Sequence, residues 1–288
     1  MAAPTTQIHT QFRSIDGLQI RYAQSDPRDE QAVLLSPWPE SLLAFEQMWA
    51  PLAERVQLLA IDLPGYGHSE GRDDLYPPHA MGEFLIRLLD EFELERPHAV
   101  GPDIGVATVL FAASSNPNRF ESLVIGSGSA SVPLELGVEL KQFVEAPDVE
   151  FLRDVDPRDL VSQVLNYIER YELPSSTRED YATGYLGDRF VDSLKFVRAY
   201  HEDLPVLARL LPEIRTPAQI IQGDHDPAVL PVNAEFLHGR LPHSKLDFVD
   251  AGHFAYEDRA DEYAALILDW WNGGYQRVGK DHDLASGD

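Results

Sequence analysis

A chain of 288 residues with 44% apolar content has room for one large α/β core plus an insertion, or for two small domains. Its formal charge of −25 repels nucleic acid and anionic membranes, and the absence of cysteine excludes disulfides, thiolate metal sites and a cysteine nucleophile. No run reaches the roughly 18 apolar residues of a membrane span, and MAAPTTQIHTQF lacks a basic stretch followed by an apolar one, so a cytoplasmic protein is expected, with neither nucleic acid nor membrane as partner.

Taken in chain order, QFRSIDGLQIRYAQ predicts an antiparallel hairpin, because Asp16-Gly17 separates two runs of alternating polarity. The apolar run AVLLS (32–36), the helical text ESLLAFEQMWAPLA and the run VQLLAID (56–62) follow. In GEFLIRLLDEF, Phe84, Leu85, Leu88, Leu89 and Phe92 fall on one helical face, and HAVG, a further helix and SLVIGSG come next. Apolar strands alternating with amphipathic helices imply a parallel sheet covered on both faces. From about 133 to 212 the strand signal gives way to helical, acidic, tyrosine-rich text, which reads as an inserted cap. Alternation resumes with PAQIIQG, a helix around PVNAEFLHGRL, the strand KLDFVD, and a helix in which Tyr263, Ile267, Trp270 and Trp271 share a stripe. The expected organisation is a core over 1–132 and 213–275, a helical cap over 133–212, and a flexible tail over 276–288.

A parallel sheet delivers functional groups from the loops at its C-terminal edge. Three such loops carry candidates: Asp103 in GPDIG, Asp226 in GDHDP and His253 in AGHF. The GPDIG turn, with small residues on both sides, would lift the Asp103 side chain above the sheet onto a helix N-terminus, where amides favour the anion. An isolated loop Asp is ordinarily a turn residue or helix cap. Here it precedes an acid and a histidine in the order of a catalytic triad. The adjacent Asp224, His225 and Asp226 do not read as a metal site, since consecutive residues rarely converge on one ion. Neither GYGHSE nor GSGSAS completes a dinucleotide fingerprint, so no cofactor is expected.

With these motifs in place, nearly the whole chain resembles the α/β-hydrolase fold, and Asp103 at the elbow resembles the branch holding epoxide hydrolases and haloalkane dehalogenases. The resemblance implies that Asp103 attacks an sp³ carbon to form an alkyl ester, and that His253, oriented by Asp226, activates the water that hydrolyses it. It favours Asp226 over Asp224, because the family's acid stands three residues after the strand-ending glycine. Some relatives carry the acid one strand earlier, but IGSGSAS offers only Ser127 and Ser129 there. By the same resemblance the oxyanion donors are the N–H groups of Trp38 and Ile104.

Epoxide opening in this branch uses cap tyrosines as proton donors. Tyr200 stands along the chain like the second of them, Tyr167 and Tyr171 compete for the first, and His201 is a further candidate donor. Halide release uses N–H donors beside the nucleophile, and Ile104 in that place argues against the usual haloalkane dehalogenase arrangement. The loop Ser36-Pro37-Trp38-Pro39 departs from the family's His-Gly-x-Pro; a cis bond before Pro39 is still expected, but Pro37 cannot take a glycine-only backbone angle. The expected activity is hydrolysis of an epoxide on a small organic molecule by a monomer or homodimer. The alternatives are a hydrolytic dehalogenase and a non-catalytic ligand-binding member of the fold.

Overall fold

In the computed structural model, which describes residues 7–278, eight strands form one sheet in the order β1-β2-β4-β3-β5-β6-β7-β8. The Asp16-Gly17 turn joins β1 (Thr10–Ile15) to β2 (Leu18–Gln24) with φ of +49° and +82°, the double left-handed geometry that suits a tight hairpin. β2 also pairs antiparallel with β4 (Gln57–Ile61). From β4 onward every pairing is parallel, through β3 (Gln31–Leu35), β5 (His98–Pro102), β6 (Leu123–Gly126), β7 (Ala218–Gly223) and β8 (Ser244–Val249). The chain runs from β3 outward to β4 and returns to the other side of β3 as β5. Strand order reverses there, and the loops after β3 and β5 part around a crevice.

Alternate residues of the buried strands feed two apolar clusters, one on each face. Ala99 of β5 belongs to the cluster under α2 (Pro78–Glu91) and α3 (Ile104–Ser115), and Val100 to the cluster under α1 (Glu46–Arg55). The single helix expected over 40–53 is instead a 3₁₀ turn, Leu42–Phe45, capped by the Ser41 hydroxyl, followed by α1. Pro51 lies inside α1, at a position where its ring costs the helix one hydrogen bond.

Between β6 and β7 the described residues are helical, with α4 (Val138–Glu145), α5 (Pro157–Leu165), α6 (Ser175–Gly184), α7 (Arg189–Ser193), α8 (Lys195–Arg198) and α9 (Tyr200–Leu210). After β7 come α10 (Val232–His238), α11 (Ala255–Asp258) and α12 (Ala260–Trp271). Leu160, Tyr181, Phe190 and Leu204 of the inserted helices share one cluster with Val33 and Ile125 of the sheet. A buried ion pair fixes α6 to the sheet: the Arg21 guanidinium donates to both Asp180 oxygens at 3.0 and 2.7 Å, and the Ser41 hydroxyl adds a bond of 2.6 Å. Burial alone would raise the Asp180 pKa, but the bonds from His68, Arg21 and Ser41 outweigh it and hold the carboxyl well below its ordinary range. Of the expected tail, Gln276 closes a 3₁₀ turn that begins in the core at Gly274, and 279–288 lie outside the described residues. No helix among the described residues is long and apolar enough to cross a membrane.

Candidate active site

Asp103 links β5 to α3 with φ +54° and ψ −119°, a conformation that costs a residue bearing a Cβ about 1–3 kcal/mol. Neighbouring glycines make room for the sharp turn. A Cβ on Gly101 would stand 2.8 Å from the Gly105 carbonyl oxygen, and one on Gly128 would stand 2.4 Å from the Asp103 carbonyl oxygen. The result is a carboxylate held above the sheet at the first turn of α3. Burial, the strongest influence, pushes its pKa up to about 6 against the opposing pull of His253 and of the Trp38 and Ile104 amides.

His253 and Asp226 meet this carboxylate from the loops after β8 and β7. His253 Nδ1 donates to Asp226 Oδ2 at 2.9 Å, which leaves Nε2 as the basic nitrogen, 3.8 Å from Asp103 Oδ2. Asp226 is itself fixed: Oδ1 accepts from the Ala228 and Val229 amides, each at 2.9 Å, and Oδ2 accepts from Gln222 Nε2 at 3.1 Å. Burial disfavours the charged imidazole, yet Asp226 and Asp103 outweigh it and hold the His253 pKa above its ordinary value. Asp224 by contrast faces solvent, bonded to His225 and close to Asp250, and this exposed group stands apart from the His253 partner. Gln222 was not among the candidate residues. Its position four residues before Asp226, at the end of β7, is the only trace it leaves in the sequence.

The loop after β3 supplies the facing wall. The Trp38-Pro39 bond is cis, and the Trp38 amide donates to Asp103 Oδ2 at 3.4 Å. Ser36, in place of the family's histidine, accepts the Leu63 amide at 3.1 Å through its hydroxyl and so ties the loop to the end of β4. Glu40 holds the far end. Its carbonyl accepts from Tyr185 on the inserted helices, and its buried carboxyl accepts from Tyr256 next to the histidine loop. Burial first, then the Glu257 charge, push the Glu40 pKa well above the carboxylate range.

A cavity opens above Asp103 and His253. Tyr200, at the start of α9, is buried and lines it with Asp103, and burial together with the Asp103 charge pushes its phenol pKa up. Tyr167 lines it too, but its hydroxyl donates to Glu139 Oε2 at 2.6 Å. Tyr171 is not brought to the cavity; it lies in a separate surface pocket with Gln47, Glu257 and Arg259. His201 is exposed and does not line the cavity. Two lining residues escaped the sequence reading as ligand groups. Ser129 has a buried hydroxyl with no partner among the described residues, and Glu139 projects from α4. The SGS text after β6 marks Ser129 only as a turn.

A family model described as the alpha/beta hydrolase fold matches residues 33–260. The chain belongs to the α/β-hydrolase fold family. It is a hydrolase of that fold. Within the family it is 25% identical over 279 residues to the serine hydrolase BPHL of Homo sapiens, covering 93% of this chain and 88% of that protein. To a 2-hydroxy-6-oxononadienedioate/2-hydroxy-6-oxononatrienedioate hydrolase of Pseudomonas sp it is 30% identical, covering 74% of this chain and 76% of the relative. Among solved structures, epoxide hydrolase VrEH1 from Vigna radiata superposes with a TM-score of 0.74 at 16% identity, covering 94% and 99% of the two chains, a likeness of fold.

Proposed function

We propose that this α/β-hydrolase opens an epoxide on a small organic molecule to a diol, through a covalent ester on Asp103. The observation that carries the reading is the shared cavity: the Asp103 carboxylate, a buried Tyr200 phenol and the free Nε2 of His253 all face it. A carboxylate is anionic near neutral pH and attacks an sp³ carbon without a base. One Asp103 oxygen bonds the ring carbon, the ring C–O bond breaks, and the alkoxide takes the Tyr200 proton. Water then gives a proton to His253 Nε2 and attacks the Asp103 carboxyl carbon, with the Trp38 and Ile104 amides facing the resulting oxyanion. On collapse the ester C–O bond breaks, the leaving oxygen takes the second proton of that water, the diol departs with one water oxygen left in the Asp103 carboxylate, and the His253 proton restores Tyr200 by way of solvent.

The Tyr167 hydroxyl is directed at Glu139, so Tyr200 alone is assigned as proton donor. Hydrolytic dehalogenation is the less supported alternative, because the indole N–H of Trp38 donates to Ser193 Oγ at 2.8 Å and is not free for a halide. A purely ligand-binding role leaves unexplained why a strained Asp, an oriented His and two amides converge. The human relative is named for a serine, whereas the elbow residue here is an aspartate. The test is one turnover of a neutral epoxide in heavy-oxygen water, followed by peptide mass analysis. Label in the Asp103 peptide is expected; its absence with diol formed would rule out the ester route. In His253→Gln the ester accumulates on Asp103 to one equivalent.

A further inference from the structure

The cavity carries carboxylates at Asp103 and Glu139, and no lysine or arginine among the described residues lines it. Among the described residues His253 is the one basic group there, and its Nδ1 is bonded to the buried Asp226. Glu139 and Phe143 stand four residues apart on α4, hence on one helix face, and the Tyr167 hydroxyl bonded to Glu139 Oε2 brings a second ring to that wall. A carboxylate flanked by aromatic rings is a receptor for an ammonium group, which gains both an ion pair and attraction to the ring faces. The chain's charge of −25 adds a long-range field that draws cations in and turns anions away.

We propose that Glu139 is a specificity-determining residue and that the site selects substrates whose end distal to the reacting carbon carries an ammonium group, accepts neutral ones less well, and rejects those bearing a carboxylate. The inference deepens the epoxide reading, since it takes the same cavity as the substrate site. It also sets this chain apart in chemistry from the Pseudomonas relative, whose name denotes a dianionic substrate. The Asp103 carboxylate adds to the rejection of anions, while Glu139, a cavity-lining residue that is exposed to solvent, leaves an ammonium partly hydrated and so avoids the full cost of burying it.

The experiment titrates the intact protein with three shape-matched probes, benzylammonium, benzyl alcohol and benzoate, following the indole N–H resonance of Trp38 at low salt and about pH 8, where Asp103 is ionised. Benzylammonium is expected to bind about tenfold more tightly than benzoate, with benzyl alcohol between them and the spread narrowing as salt is added. Glu139→Gln should cut the benzylammonium-to-benzoate ratio severalfold, and Glu139→Lys should invert it. Benzoate binding as tightly as benzylammonium, a ratio unmoved in Glu139→Gln, or no binding by any probe would each overturn the proposal. The readout needs no turnover, so a failed charge order is distinct from a missing Asp103 ester.

Discussion

His253 and Asp226 are joined by a 2.9 Å bond from Nδ1 to Oδ2, and three further donors occupy the same carboxylate. Asp226 therefore has little freedom to turn, and the imidazole is held in one tautomer. In Asp226→Asn the ester on Asp103 should still form, while its hydrolysis slows by about 10²–10⁴-fold. Rapid-quench mass analysis would show a burst of ester followed by slow release; an unchanged release rate would contradict the orienting role.

Burial places the Asp103 pKa at about 6, and only the anion attacks. Ester formation, read as kcat/KM, should rise with pH through about 6 and level above it. A profile already flat from pH about 4 would mean that the nucleophile titrates as an ordinary carboxyl.

The same group affects folding. An Asp that binds its proton more tightly folded than unfolded contributes stability below its unfolded pKa, and that contribution is lost as pH rises to about 6. A rise from 3.8 to about 6 corresponds to about 3 kcal/mol at most. Asp103→Asn, whose side chain tolerates positive φ, should be about 1–3 kcal/mol more stable than the parent at alkaline pH, the gap closing toward pH 4. Urea unfolding at several pH values measures this directly.

Tyr200 and Tyr167 separate by their partners. Tyr200→Phe removes the assigned proton donor and should lower kcat about 10²-fold or more with KM little changed. Tyr167→Phe frees Glu139 and should change KM, with an effect that depends on substrate charge. Steady-state kinetics on a neutral epoxide and on one bearing an ammonium group compares the two.

Asp180→Ala leaves Arg21 in a buried site with only Asp62, at 3.4 Å, as counter-charge. A loss of about 3 kcal/mol is expected, since a buried guanidinium stripped of its bidentate partner keeps its desolvation cost. Thermal and urea unfolding would register it.

The parallel sheet and the sharp turn at Asp103 were legible because strand and helix periods alternate cleanly and because small residues flank Asp103, while the order of the strands comes from the structure alone. Asp226 was separable from Asp224 only by resemblance; the structure adds that one is buried and the other exposed. The tyrosines were harder. Tyr167 and Tyr171 lie four residues apart in text that reads as helical, yet α5 stops at Leu165, and Asp258 takes the amides of Glu169, Arg170 and Tyr171. That anchor turns the chain away after Tyr167, a long-range effect with no local signature. Gln222, Ser129 and Glu139 were illegible for a related reason: their neighbours in space come from other elements.

The inserted helices and one face of the sheet share a single apolar cluster, with α6 bolted to β2 through Arg21. Exchange of the whole insertion between family members would thus tear open a common interior, and hybrid proteins made that way should aggregate. New selectivities are more accessible through single replacements on α4, whose outer side carries the exposed Val138 and whose inner side lines the cavity.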